Sequence, residues 1–147
     1  MGLQQKVMEQ LKLAMKAKDS VALESLRAIK SALLVANTSG GGEITEDDEI
    51  KIVQKLVKQR KDSAAIFIEQ GRQDLADPEL AQIAVIEQFL PEQLTEEEVE
   101  KVVVQTIDLV GATGMKDMGK VMGIVSKELA GQADGKLIST IVKRKLA

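Results

Sequence analysis

Residues 46–70 read EDDEIKIVQKLVKQRKDSAAIFIEQ and contain neither glycine nor proline. Apolar side chains recur along this stretch at helical spacing. Thr45, followed three residues later by Asp48, resembles the capping box that begins a helix. The stretch therefore predicts one long helix of roughly 37 Å, at a rise of about 1.5 Å per residue. The residues expected on its buried face are Ile50, Val53, Leu56 or Val57, Ala64, Phe67 and Ile68.

Helical periodicity also precedes the long helix. A first helix is predicted to end near Lys18, and Asp19 or Ser20 is a suitable cap for a second one. The run Asn37-Thr-Ser-Gly-Gly-Gly42 predicts a flexible break after that second helix. The apolar face of the first helix is expected to contain Leu3, Val7, Leu11, Ala14 and Met15.

Two prolines and another capping box organise the second half of the chain. Asp77 followed by Pro78 predicts the start of a fourth helix, because proline suits the first helical turn. Pro91 disfavours helix at the residue before it, so a domain boundary is predicted there. Thr95 and Glu98 form a stronger capping box, which opens the first of three C-terminal helices.

The helical segments together predict an all-α fold. No segment shows the strict alternation of apolar and polar residues that is typical of a strand. We expect an N-terminal domain of four helices, including the long one, over residues 1–91. A small domain of three helices is expected over residues 92–147.

The residue types that are absent limit the possible chemistry. The 147 residues include no cysteine and no histidine. This removes thiol nucleophiles, the imidazole base and the usual soft metal ligands. The lack of tryptophan and tyrosine removes the best platforms for stacking single-stranded bases. We therefore expect no catalytic residue, no metal site, no cofactor and no activity from the chain alone.

The sequence also carries no signal for a membrane. No apolar run approaches the roughly 20 residues that span a bilayer. The first residues lack the apolar core of a signal peptide. We expect a cytoplasmic protein without membrane contact.

Basic residues are concentrated in the last part of the chain. Residues 112–147 contain seven basic and three acidic side chains, a net charge of +4, whereas residues 1–111 contain 13 basic and 20 acidic ones, a net of −7. Between residues 116 and 127, three lysines and one glycine fall on a single helical face. Lysines neutralise phosphates, and glycines allow close approach of the backbone. The residues expected to bind RNA are Lys116, Gly119, Lys120, Gly123, Lys127, Lys136, Lys143 and Arg144.

Each of these patterns also has a plainer interpretation. A lysine face often does no more than solvate a helix, and the glycines near it can serve as turns. The stripe of Lys51, Lys55 and Lys58 on the long helix is open to the same two interpretations. The acidic runs at 46–49 and 96–98 lie in first helical turns, where capping and the helix dipole account for them.

The stretches LRAIK (26–30), KQRKDS (58–63), EQFLPEQL (87–94) and MKDMGKVMG (115–123) occur in this order along the chain. Together with ADGKL (133–137) they resemble the YqeY-like family. The C-terminal part of that family is similar to the tail domain of the B subunit of the tRNA-dependent amidotransferase, a carbon–nitrogen ligase that uses glutamine as amide donor. The resemblance implies a helical tail of the kind that contacts tRNA in that enzyme.

Three hypotheses about function follow. The resemblance and the local charge favour a non-catalytic protein that binds tRNA or another structured RNA through its C-terminal domain. The catalytic cradle of the amidotransferase is absent, so its reaction does not carry over. A protein–protein adaptor associated with translation is the second hypothesis. An enzyme, for instance an amidotransferase accessory with residual ligase chemistry, is the third. Gln132 stands where the family commonly has lysine or arginine, and Ser139 where asparagine is common.

Overall fold

A computed structural model describes residues 2–40 and 42–147. These residues form seven α-helices and two short 3₁₀ turns, with no β-strand among them, so the all-α prediction is confirmed. The 3₁₀ turns are Glu87–Phe89 and Met115–Asp117. The helices are α1 (Leu3–Ala17), α2 (Ser20–Ser39), α3 (Glu46–Glu69), α4 (Gln73–Ile86), α5 (Glu96–Val110), α6 (Met118–Glu128) and α7 (Gly135–Leu146).

Three helices begin at the predicted capping residues. Thr45 accepts the backbone N–H of Asp48 at 3.1 Å, while the Asp48 carboxylate accepts the N–H of Thr45 at 3.0 Å. Accepting that N–H holds the pKa of the Asp48 carboxyl below its ordinary value. Thr95 and Glu98 exchange the same two hydrogen bonds at the start of α5. The Asp19 carboxylate caps α2. The unbroken α3 of 24 residues confirms the predicted long helix.

Two apolar residues predicted on buried faces are exposed. Met15 is 58% exposed and Ile68 is 49% exposed. Met15 lies one residue, or about 100° around the helix, beyond the buried Ala14. Ile68 lies in the last turn of α3, whereas the buried cluster of the first half of the chain takes only Val53 and Val57 from this helix. The spacing was correct, but the other helices do not cover these two positions.

The predicted start of α4 at Asp77 is wrong, because the helix begins at Gln73. Pro78 is thus its sixth residue and lacks the N–H that would bond to the carbonyl of Asp74. The turn before the proline is stabilised in other ways. The Arg72 guanidinium donates two hydrogen bonds, of 3.0 and 2.9 Å, to the Asp74 carboxylate, and Ala76 is fully buried.

The predicted break after α2 begins later than expected. Asn37, Thr38 and Ser39 remain helical, and the Thr38 hydroxyl donates to the backbone carbonyls of Leu34 and Val35 at 3.0 and 3.2 Å. Gly41, in the predicted glycine run, lies outside the described residues.

The chain divides into two compact units, the first ending at Leu90 and the second beginning at Pro91. The assignment of residues 1–91 and 92–147 to separate domains stays a prediction. In the first unit α3 and α4 pack along each other, and α2 contacts α1, α3 and α4. The buried core of this unit consists of Val7, Leu11, Ala14, Leu26, Ile29, Leu33, Val53, Val57, Ile83 and Ile86.

In the second unit each of α5, α6 and α7 packs against the other two. Each helix turns one apolar face inward, so its opposite face is left to polar side chains. Thr106 is the buried polar residue here, and its hydroxyl donates to the carbonyl of Val102 at 2.8 Å. The buried core consists of Val99, Val103, Val121, Val125, Leu129, Ala133, Ile138, Ile141, Val142 and Leu146.

Replacing the fully buried Ile141 by alanine should lower the free energy of unfolding by about 2–5 kcal/mol, because a cavity replaces the lost methyl groups. Ile124→Ala is the matched control, since Ile124 is 37% exposed on α6, and its effect should stay below about 1 kcal/mol. Urea denaturation of the full chain, followed by circular dichroism, measures both. Equal losses in the free energy of unfolding for the two variants would contradict the burial of Ile141 in the core.

Candidate nucleic-acid interface

Apolar and basic residues lie on opposite sides of α6. Val121 and Val125 are fully buried, whereas Lys120, Gly123 and Lys127 are exposed. Lys116 was predicted in this helix but lies in the 3₁₀ turn before it, where three rather than 3.6 residues make a turn. The angle between Lys116 and Lys120 around the helix axis therefore differs from that of two residues four apart in one α-helix. The predicted residues of this region, all exposed, are Lys116, Gly119, Lys120, Gly123 and Lys127.

Neither glycine of α6 is required by the structure of the unit. A Cβ atom added to Gly119 or Gly123 would meet nothing within 4 Å, and neither backbone has a positive φ. Glycine in a helix interior costs about 1 kcal/mol relative to alanine. Gly123, in the middle of α6, therefore weakens a helix of only 11 residues without any compensating contact in the unit, whereas Gly119 lies in its first turn. What they provide is bare backbone on the exposed side of α6.

The start of α6 has no side-chain cap. Asp117 precedes the helix but makes no capping hydrogen bond to it. Its carboxylate instead accepts the backbone N–H of Thr113 at 3.0 Å. This bond closes the loop between α5 and α6, so Asp117 has a structural role.

On α7 the same division between faces recurs. The Asp134 carboxylate caps the helix by accepting the N–H of Lys136 at 3.2 Å. Ile138 and Ile141 point into the core, while Lys136 and Lys143 are exposed. Both predicted lysines of α7 are thus on its outer surface.

Arg144 and Lys145 differ from the other basic residues because α5 holds them. The Arg144 guanidinium lies 3.4 Å from the Glu96 carboxylate and 3.5 Å from that of Glu100. The Lys145 Nζ lies 2.6 Å from the Glu100 carboxylate. The hydrogen bond from Lys145 and its charge lower the pKa of the Glu100 carboxyl. Arg144 is therefore the predicted RNA-binding residue that lies against carboxylates in the folded unit.

The charge of the second unit is divided between its helices. Residues 112–147, with α6 and α7, carry seven basic and three acidic side chains, whereas residues 91–111, with α5, carry one basic and six acidic ones. Their net charges are +4 and −5, so the unit as a whole carries −1. The charge contrast in the sequence therefore lies within this unit.

The segment before α5 is tied to the turn between α6 and α7. The Gln93 side-chain amide donates to the carbonyl of Gly131 at 2.6 Å, and the Leu94 N–H donates to the carbonyl of Gln132 at 2.9 Å. Gly131 has a φ of +79°, a left-handed conformation that favours glycine. Gln132 thus contributes its backbone carbonyl to the fold.

The basic stripe of α3 is only partly structural. Lys51, Lys55 and Lys58 are exposed. Arg60, however, donates from Nε to the Gln82 side chain at 2.9 Å, and Lys61 lies 3.4 Å from the Glu87 carboxylate. These two bases connect α3 to α4 and to the 3₁₀ turn that follows it.

The acidic residues do not assemble into a metal site. Among the described residues no group of three or more carboxylates could hold a metal ion. A cleft of about 730 Å³ is lined by the start of α1 and the segment before α3, and it contains Glu43 and Glu49. Partial burial, with a smaller contribution from Glu46, raises the pKa of the Glu49 carboxyl. The lining has no basic side chain to attract an anion.

No helix in the described part of the chain is long and apolar enough to cross a membrane.

The sequence identifies the family. A profile of the YqeY-like proteins matches residues 4–146, nearly the whole chain, so the chain belongs to the YqeY-like family.

Two similar proteins differ in how much of their own length the chain covers. The chain is 34% identical over 131 residues to a glutamyl-tRNA(Gln) amidotransferase subunit of Thermococcus gammatolerans, called the Thermococcus protein below. It is 30% identical over 125 residues to the altered inheritance of mitochondria protein 41 of Pyrenophora tritici-repentis. The first match covers 86% of this chain but only 20% of the Thermococcus protein. The second match covers 84% of this chain and 68% of the Pyrenophora protein. The chain thus spans about a fifth of the first relative and most of the second.

The Glu100 carboxyl should remain ionised at a lower pH than an ordinary glutamate, because Lys145 stabilises its charged form and lowers its pKa. A lowered pKa in the folded state contributes stability above the unfolded value of about 4.5, and this contribution disappears as the pH falls through the folded pKa. Carbon-detected NMR titration measures the pKa directly. Lys145→Ala should raise it, whereas Lys143→Ala, at an exposed lysine two residues earlier, should leave it lowered. A titration unchanged by Lys145→Ala would contradict the pair.

Proposed function

We propose that this chain is a non-catalytic protein that binds tRNA or another structured RNA through the outer surfaces of α6 and α7. The proposed contact residues are the lysines Lys116, Lys120, Lys127, Lys136 and Lys143 with the glycines Gly119 and Gly123. Arg144, the eighth predicted residue, is held by Glu96 and Glu100 and contacts RNA only if they release it.

One observation carries most of the proposal. Gly123 weakens α6, yet nothing around it or around Gly119 in the unit requires glycine. Bare backbone flanked by the exposed Lys120 and Lys127 suits a ligand that comes close to the helix and carries negative charge. A phosphate backbone has both properties.

The comparison with the Thermococcus protein supports the choice of RNA. Its name states that it is part of an amidotransferase acting on glutamyl-tRNA, and the matched stretch covers most of the present chain. Ammonium groups and exposed backbone can bind a phosphate without a covalent step, so the proposal needs no catalysis. We place this binding in the cytoplasm, although the fungal relatives carry mitochondrial names.

The adaptor remains the second candidate because Lys51, Lys55 and Lys58 on α3 are exposed and form no ion pair within the described residues. An acidic protein surface could dock there. Variants of this stripe therefore serve as controls for RNA binding.

Lys120→Glu combined with Lys127→Glu should weaken binding of the full chain to tRNA by at least about tenfold, roughly 1.4 kcal/mol, because two phosphate contacts become repulsive. For the unaltered protein, five lysine contacts give a slope of log affinity against log salt of up to about −4.5 on a duplex. The double variant should reduce this slope by up to about 1.8. Titration of labelled tRNA at several salt concentrations measures both.

Lys51→Glu with Lys58→Glu changes the net charge equally and should leave the affinity within about threefold, a difference of less than roughly 0.7 kcal/mol. Equal weakening by the two double variants would indicate an effect of net charge alone. Absence of any salt-dependent binding by the unaltered chain would end the proposal.

Gly123→Leu should weaken RNA binding by about tenfold, because its side chain keeps a ligand from the backbone. Gly123→Ala should raise the free energy of unfolding by up to about 1 kcal/mol, since its Cβ meets open space, and weaken binding less. Thermal denaturation and tRNA titration of the full chain separate the two effects. Ala65→Leu, on the exposed side of α3, is the control for added apolar surface. An unchanged affinity of Gly123→Leu would exclude close approach at this position.

A further inference from the structure

The C-terminal end of α7 carries three consecutive bases, but they differ in their surroundings. Lys143 is exposed and points away from the core. Arg144 lies within 3.5 Å of carboxylates of both Glu96 and Glu100, and Lys145 is 2.6 Å from Glu100. Two of the seven basic residues of 112–147 are thus neutralised within the unit.

The position of these pairs is fixed by the core beneath them. Val99 and Val103 of α5 pack in the same buried cluster as Ile141 and Val142 of α7. Glu96 and Glu100 lie one turn apart on α5, beside these valines, so both carboxylates are held next to the end of α7. The Lys145–Glu100 pair is also only about one-third exposed on each side, at 34%.

A phosphate that approached Arg144 or Lys145 would meet the two carboxylates within a few ångströms. Its attraction to the cation would be opposed by repulsion from Glu96 and Glu100, and it could not replace them without leaving them unpaired. The lysines Lys120, Lys127, Lys136 and Lys143 form no ion pair among the described residues, so no such competitor opposes a phosphate there.

We propose that Glu96 and Glu100 act as an internal competitor for phosphate, which removes Arg144 and Lys145 from the RNA-binding surface. This inference rests on the proposed function and sets the limit of its site. The bound phosphates then extend along α6 and the outer lysines of α7 and end before the contact with α5. The acidic helix thereby restricts both the number of phosphates bound and the direction from which a nucleic acid approaches.

The test compares two variants of the full chain with the same change in net charge. Glu96→Gln with Glu100→Gln releases Arg144 and Lys145. Glu92→Gln with Glu97→Gln removes two exposed carboxylates that pair with no cation in the described residues. Affinity for tRNA is measured across a series of salt concentrations, and thermal denaturation confirms that each variant is folded.

Release of the two cations should steepen the salt slope by up to about 1.8 on a duplex, about 0.9 for each additional phosphate contact. The control variant should tighten binding less and leave the slope nearly unchanged. Equal salt slopes of the affinity for the two variants, with salt-dependent binding by the unaltered chain, would overturn the inference that Glu96 and Glu100 compete with phosphate. The proposed function would remain in place.

Two further outcomes bear on both proposals. Binding by Glu96→Gln/Glu100→Gln alone, without binding by the unaltered chain or by the control, would overturn the proposed function and, with it, the inference that the two carboxylates only limit its site. Failure of all three proteins to bind would overturn the competitor together with the proposed function. Adding Arg144→Gln and Lys145→Gln to the released variant should return its slope to the original value.

Discussion

The shared apolar core of α5, α6 and α7 is the constraint on which the rest of the second unit depends. Burying Val121 and Val125 fixes the rotation of α6, and burying Ile138 and Ile141 fixes that of α7. Each lysine of the proposed surface then has no position except the outer side of its helix. The same core brings α5 against the end of α7 and thereby determines which bases meet carboxylates.

Charge is divided inside the second unit, so one part of its surface is acidic and another part is basic. A uniformly basic bundle would attract a polyanion from every side, with little preference for one orientation. Here an acidic α5 lies beside basic α6 and α7, and the unit carries a net charge of only −1. In the proposed complex, attraction is therefore local to one part of the surface, and repulsion elsewhere limits how a nucleic acid lies. Surface ion pairs stabilise a fold by only about 0–1 kcal/mol, so the pairs between Glu96 or Glu100 and the end of α7 add little to the stability that the buried core provides.

The fold itself does not explain why α6 contains glycines, which lower the stability of a helix relative to alanine. Helix interiors favour alanine over glycine, and there is room for a side chain at both Gly119 and Gly123. Gly111 and Gly131, by contrast, have a clear structural reason to be glycine, because each has a positive φ at a turn. The proposed contact with RNA would give the exposed backbone at these two glycines a role that the packing of the unit does not.

The sequence by itself determined the features that depend on neighbouring residues. The all-α fold, the long α3 and both capping boxes follow from spacings of three or four residues, and so does the grouping of Lys120 and Lys127 on α6. Tertiary structure decided what depends on distant residues. Met15 and Ile68 are exposed because no helix covers them, and α4 begins before Pro78 in a turn whose Ala76 is fully buried. Arg144 meets Glu96 across 48 residues of sequence, a contact that only the packing of α5 on α7 creates.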